Sequence, residues 1–435
     1  MKKRRIFLPI LLATAMLALS ACGAKDDGTS GSAGEASSGN QQVKLKFYAQ
    51  YSGENTAVYD AAKEEMKKLM PEVDVEFEVA AQDDEQKIKT YAAGGTLPDI
   101  FFASSGLIEA LKNSDNLYMM DKAVEDNKIE DQLNETSKAM LRHDDGHIYA
   151  VPNVGQWSSL IYYNKELFEQ NGIKVPANYD EFLEAVKGFS AKGITPLALF
   201  AKEKWPGVQL YDMAVVGSEP AGLTKLDGGE GTFSDEAYRQ GAEKIAELSK
   251  AGLLSKNAFN TTWDDALAQF TSGKAAMVLN GAWAMSDISK AMGDKVDILY
   301  TPLADADKVD QVQWNVSGGG FNQGFSVSKN SKNAEVAAKY AALFSIEFAK
   351  QRVIHLGDPN PILKENPEPL NGISPLQEKY KQDSANFKTM TTFPWGLVNA
   401  KFKTAIEDNV QKLMLDYDTN AFIDTMNKSL ELARK

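Results

Sequence analysis

Residues 43–79, VKLKFYAQYSGENTAVYDAAKEEMKKLMPEVDVEFEV, decide the fold class. Val43 to Tyr48 alternates with the two-residue period of a strand. From Asn55 to Met70 the period lengthens, and Val58, Ala61, Ala62, Met66 and Leu69 fall on one face of a helix. Pro71 stops that helix, because its ring removes a donor and crowds the preceding turn. Val73 to Val79 alternates again. A third unit follows: a helix near Asp84 to Ala93, a Gly94-Gly95 break, then Ile100-Phe101-Phe102. Strand-helix-strand-helix-strand predicts an α/β fold whose sheet is mainly parallel, with helices on its faces.

Past Val151-Pro152 the pattern restarts. Leu160 to Tyr163 is a strand candidate, Asn178 to Lys192 an amphipathic helix, and Thr195 to Phe200 another strand. From Ala334 helices dominate, interrupted by a Pro-rich stretch from Asp358 to Pro375. A chain of 435 residues exceeds what one core usually holds, so two α/β lobes are expected. Ligands of such sheets sit outside the carboxyl ends of the strands.

The start of the chain has a different character. Met1-Lys2-Lys3-Arg4-Arg5 is basic, and Ile6 to Leu19 is apolar apart from Thr14 and is broken early by Pro9. That run is 14 residues, shorter than the roughly 20 that span a bilayer, so it reads as an export signal over residues 1–21. The single cysteine, Cys22, ends the run Leu19-Ser20-Ala21-Cys22. This box resembles that of bacterial lipoproteins, which implies cleavage before Cys22 and diacylglycerol on its sulfur. Gly23 to Gln42 contains nothing apolar larger than alanine and reads as a flexible leash, with a reach of roughly 25 Å.

The formal net charge is −13, and losing the signal would remove four more basic residues. Such a surface argues against nucleic acid, whose phosphates demand cations. Motifs for catalysis or cofactors also fail. GGGFNQG (Gly318 to Gly324) lacks dinucleotide spacing, SGKAAM (Ser272 to Met277) lacks the P-loop glycine and hydroxyl, and DADKVD (Asp305 to Asp310) lacks the glycine and glutamate of a calcium loop. His143 and His147 could share a helix face for zinc, but Asp144-Asp145-Gly146 between them writes a turn. No metal and no cofactor are expected. A carboxylate pair of a glycosidase stays open at this point, given 60 acidic residues.

Aromatic residues carry the positive signal. Trp157, Trp205, Trp283 and Trp395 stand in loop-like surroundings, VGQWSS, EKWPG, NGAWAM and FPWGL. Indoles set among small and turn-forming residues suit a lined cleft better than a core. Past the signal the arginines are Arg142, Arg239, Arg352 and Arg434, none of them in those loops. A site for carboxylate or phosphate favours arginine forks, so a neutral polyhydroxylated ligand fits better.

These stretches also carry a resemblance. GGTLPDIFFAS (Gly94 to Ser104), DGHIYAVPNVGQWSSLIYYNKELFEQNGI (Asp145 to Ile173), FTSGKAAMVLNGAW (Phe270 to Trp283) and TTFPWGLVNAKF (Thr391 to Phe402) follow one another as in solute-binding proteins of bacterial ATP-driven importers. The resemblance is to the sugar-binding group that includes maltose-binding protein. It implies a hinged, two-lobed periplasmic-binding-protein fold. One lobe would be 43–152 plus about 319–363, the other 153–318 plus about 364–435. It implies ligand contacts from Tyr51, Glu54, Asn55, Ser104, Ser105, Gln156, Trp157, Trp205, Trp283, Gly319, Gly320 and Trp395. Ser104-Ser105-Gly106 departs from the acidic or aromatic residue common there. Trp263 and Trp314 match no ligand position and are expected in core or hinge. The implied function is capture of a sugar, an oligosaccharide, for membrane permease subunits with a cytoplasmic ATPase. It would act without chemistry, as a monomer lipid-anchored outside the cytoplasmic membrane. Receptors for a peptide or polyamine, and a surface glycosidase, are the alternatives.

Overall fold

The structure, a computed structural model, describes residues 42–53, 55–81, 85–319 and 323–435. The expected opening unit forms. β1 (Val43–Ala49) and β2 (Val73–Val79) pair in parallel along their whole length, and β3 (Ile100–Ser104) runs parallel on the other side of β1. The helix Asn55–Leu69 covers this sheet, but its buried face is turned from the expected one. Val58, Tyr59, Ala62 and Met66 point inward while Leu69 is 50 % exposed. The chain leaves the helix at that point, and Met70, buried, occupies the inward position instead.

β4 (Ala150–Pro152) lies at the far edge of this first sheet. The second sheet holds β5 (Ser159–Asn164), β6 (Thr195–Ala198), β7 (Ala275–Gly281) and β8 (Val296–Leu299), in the order β6-β7-β5-β8. β6 pairs with β7 in parallel, whereas β5 runs antiparallel to both its neighbours. A strand's direction depends on which way the chain enters the sheet, and β5 enters straight from the first sheet rather than through a helical crossover. The helix Tyr179–Ala191 starts at Asn178, whose Oδ1 accepts the Glu181 N–H at 3.0 Å.

The chain then returns. β9 (Asn315–Gly319) leads to β10 (Gln323–Val327), which inserts antiparallel between β3 and β4, giving the order β2-β1-β3-β10-β4. The long helix Ala334–Leu356 packs beside Asn55–Leu69, and Phe344 and Phe348 close an aromatic nucleus with Phe47, Tyr59 and Phe325. It stops at Gly357, whose φ of 62° suits glycine. The chain then crosses once more to the helices of the second sheet. β11 (Thr389–Thr392) pairs in parallel with β9.

Two of the connections touch backbone to backbone. A Cβ on Gly155 would lie 1.6 Å from the Asn360 carbonyl oxygen, so only glycine permits the approach. The residues just past β1, β4 and β7 line the two pockets beside this crossing, where the strand-end rule places a ligand.

Candidate functional site

Four tryptophans far apart in sequence meet in one cluster. Trp283 lies in the short turn Ala282–Ala284 after β7, and its ring folds back over Gly281. A Cβ at Gly281 would be 2.0 Å from that ring, so the glycine makes room for the indole. Trp157 lies between β4 and β5, with its ring centroid 4.7 Å from that of Trp283. Trp205 opens the helix Trp205–Val216, and Glu203 accepts its indole N–H at 3.0 Å. Trp395 sits in the turn Pro394–Gly396, 5.1 Å from Trp205 and 5.9 Å from Trp283. All four are half-buried. Phe393, which sequence reasoning did not single out, is buried and stacks on Trp395 at 4.5 Å and 6°. Its nearness to Trp395 within FPWGL was the available signal. Trp263 lies one ring further out, against Phe200, and Trp314 packs on Tyr300 and Phe387.

Arg352 is the second feature that sequence reasoning missed. It comes from the last turns of the helix Ala334–Leu356 and is 5 % exposed. Its Nε donates to Asp358 at 2.8 Å, its Nη1 donates to Asn55 Oδ1 at 3.0 Å, and the guanidinium lies 5.6 Å from the Trp157 ring centroid. No arginine lies in the aromatic loops along the sequence, but the fold brings Arg352 beside Trp157. Its charge is nonetheless matched within the protein by buried Asp358, so no unpaired cation faces the cleft from this residue. Two pockets adjoin here. One is lined by Trp157, Trp283, Arg352, Asp358, Asn360 and Tyr380. The other includes Gln50, Asn55, Asn153, Trp157, Phe348 and Arg352.

The other expected residues are distributed as follows. Asn55 reaches the second pocket, through the bond to Arg352. Ser104 is buried and caps the helix Ser105–Asn113, its Oγ accepting the Leu107 N–H at 3.3 Å. Its own N–H donates to the Glu85 carboxylate at 3.0 Å, and burial holds the Glu85 pKa above the ordinary value. Ser105 and Gly106 lie against the Trp395 turn: a Cβ on Gly106 would be 3.1 Å from the Trp395 carbonyl oxygen. Gln156 is half-buried beside Trp157, and its carbonyl accepts from Asn360 Nδ2 at 3.5 Å. Tyr51 lies apart from the indoles, stacked on Phe77 at 5.3 Å with its hydroxyl donating to Asp60 at 2.7 Å. Gly319 packs on Met390, where a Cβ would be 2.5 Å from the side chain. Glu54, Gly320 and Cys22 lie outside the described residues.

The arrangement suits binding by shape and stacking. Among the described residues no group of three or more His, Cys, Asp or Glu is placed to hold a metal ion. His143 and His147 close the expected turn, His143 N–H donating to the His147 carbonyl at 3.0 Å. Asp212 is fully buried with its pKa raised by burial, a profile that can mark an acid catalyst. Its carboxylate is instead occupied by Leu223 N–H at 2.8 Å and by the hydroxyls of Ser317 (2.7 Å) and Thr391. It anchors β9 and β11 behind Phe393.

The family described as bacterial extracellular solute-binding protein matches residues 49–345. The multiple sugar-binding protein of Streptococcus mutans is 29 % identical over 262 residues, 54 % of this chain and 59 % of that protein. The melibiose/raffinose/stachyose-binding protein MelE of Bacillus subtilis is 22 % identical over 244 residues, 54 % of this chain and 55 % of that one. The aligned stretch thus spans little more than half of either relative. A chitin oligosaccharide binding protein of known structure superposes with a TM-score of 0.78 at 22 % identity, over 90 % of this chain and 99 % of that one. At that identity the likeness is one of fold: two α/β lobes joined by crossing segments.

Proposed function

The chain belongs to the bacterial extracellular solute-binding proteins, and from that premise we propose that it is the receptor of an ATP-driven importer for an uncharged oligosaccharide. The observation that carries the carbohydrate assignment is the convergence of Trp157, Trp205, Trp283 and Trp395 with Phe393 at the joint between the sheets. Ring faces of this kind take the apolar faces of sugar rings, while Asn55, Gln156 and Arg352 stand close enough to meet hydroxyls. The internal pairing of Arg352 with Asp358 favours a ligand without charge. The names of the relatives, for multiple sugars, raffinose and stachyose, and chitin oligosaccharide, support the same class.

In this reading the lobes are 43–152 with about 319–363, and 153–318 with about 364–435, and the ligand binds where they close on each other. Permease subunits sense closure, and the protein carries out no reaction. Cys22 is the lipidated first residue of the mature chain, which works as a monomer on the outer face of the cytoplasmic membrane. A thermal-shift series with raffinose, stachyose and chitotriose tests the ligand class. At least one is expected to raise the melting temperature, without appearance of cleaved sugar on long incubation. No shift, or turnover, would overturn the proposal. A free thiol at Cys22 in the membrane fraction would overturn the anchor alone.

A further inference from the structure

Asn153 follows β4 directly, in the connection that also carries Trp157. It is 3 % exposed, yet its Oδ1 has no hydrogen-bond partner among the described residues. A buried carbonyl oxygen left unpaired costs stability. Asn153 lines the second pocket with Gln50, Asn55, Trp157 and Arg352. Arg352 is the one charged side chain of that lining, and Asp358 balances it. The site therefore offers an acceptor that lacks a donor, beside an aromatic face, in surroundings of zero net charge.

We propose that Asn153 is a specificity-determining residue of the cleft, its Oδ1 accepting a hydrogen from a hydroxyl of an uncharged sugar ring in the pocket it lines. This rests on the carbohydrate reading above and sharpens it. The donor belongs to the ligand, so a ring lacking a hydroxyl at that position leaves the oxygen unpaired and is rejected. An acidic sugar adds a negative charge that no unmatched cation of the lining receives, with Asp358 close behind Arg352. The same pairing gives a positively charged sugar no net attraction.

Two consequences separate this role from a structural one. Asn153→Leu keeps the branching of the side chain, with methyl groups in place of the amide oxygen and nitrogen, and removes the unpaired oxygen. The empty protein is then expected to melt at the same temperature as the wild type or slightly higher, while its affinity for sugar falls. A residue that only supported the fold would lower both together.

The experiment is calorimetric titration of the wild type, Asn153→Leu and Asn153→Ala with whichever of raffinose, stachyose and chitotriose binds the wild type most tightly, and of the wild type with trigalacturonate. Expected are a tenfold to hundredfold weaker affinity in both variants, an unchanged or raised melting temperature for Asn153→Leu, and trigalacturonate at least tenfold weaker than the neutral sugar. Affinity within twofold of the wild type in either folded variant, or trigalacturonate binding as tightly as the neutral sugar, would overturn this inference and leave the carbohydrate reading intact. Failure of all three neutral sugars to bind the wild type would overturn both.

Discussion

Replacing Gly106 by alanine or valine is expected to weaken ligand binding while leaving the empty protein as stable as before. Gly106 lies in the first turn of the helix Ser105–Asn113, against the segment that carries Trp395. A Cβ there would stand 3.0 Å from the Leu397 carbonyl oxygen and 3.1 Å from that of Trp395. Carbon–oxygen contacts ordinarily settle at about 3.3–3.6 Å, so both carbonyls would have to withdraw by a few tenths of an ångström. Overpacking of this kind costs about 1–3 kcal/mol, alanine at the lower end and valine, with two further methyls, at the upper. The helix itself prefers alanine to glycine by about 1 kcal/mol. With the lobes assigned as proposed above, the crowding acts across the cleft, so parting its walls would relieve it and the penalty would fall on the closed arrangement alone. A ligand that requires closure then binds more weakly by the same free energy. At 1.4 kcal/mol per decade this is about fivefold for alanine and about a hundredfold for valine. Titration calorimetry measures the affinity, and small-angle scattering of the unliganded variants measures the opening. A valine variant binding within twofold of the wild type would refute the reasoning. So would a melting temperature that falls in step with the affinity, which would mean damage to the fold.

Trp283→Ala and Trp395→Ala are each expected to weaken sugar binding tenfold to a hundredfold, in line with about 1.5–3 kcal/mol for burying a large side chain, with near-wild-type circular dichroism. Trp314→Ala should leave affinity unchanged, because its ring packs on Tyr300 and Phe387 instead; equal losses in all three would point to the fold. Arg352→Ala leaves Asp358 buried without its partner and is expected to cost about 3–5 kcal/mol in urea unfolding. Burial raises the Asp212 carboxyl above its ordinary 3.8, against the hydrogen bonds from Thr391, Leu223 and Ser317. The folded state thus holds that proton more tightly, so the contribution to stability is full below the ordinary value and is lost as pH rises through the folded-state value. Asp212→Asn should flatten this decline in a series of melting temperatures from about pH 4 upward, and an unchanged slope would count against it.

The opening strands and helices were legible because their side-chain periods are local properties of the chain. The position of Leu69 was not, since the helix ends there and the chain turns Met70 inward instead. The tryptophans could be found by their neighbours in sequence, and four of the six do converge. Arg352 could not: it lies within a long helix that reads as core, and its partner Asn55 is 297 residues away. Asn153 looks like any loop asparagine until burial shows its oxygen to be unpaired. The direction of β5 depends on how the chain enters the second sheet, which no local pattern records. The resemblance implies a ligand contact from Tyr51, in the loop after β1, whereas its ring stacks on Phe77.

The indole pair has an optical consequence. Trp157 and Trp283 lie with centroids 4.7 Å apart and planes inclined at 54°. Chromophores that close do not absorb independently; their transitions mix and split, and the inclined planes give the split bands opposite handedness. The protein in this form should therefore show a paired positive and negative feature in its ultraviolet circular dichroism, reduced in Trp157→Phe, where only the couplings among Trp205, Trp283 and Trp395 remain. A sugar ring entering between the two indoles must push them apart and shrink that feature, so binding could be followed by light alone, with no label on protein or sugar.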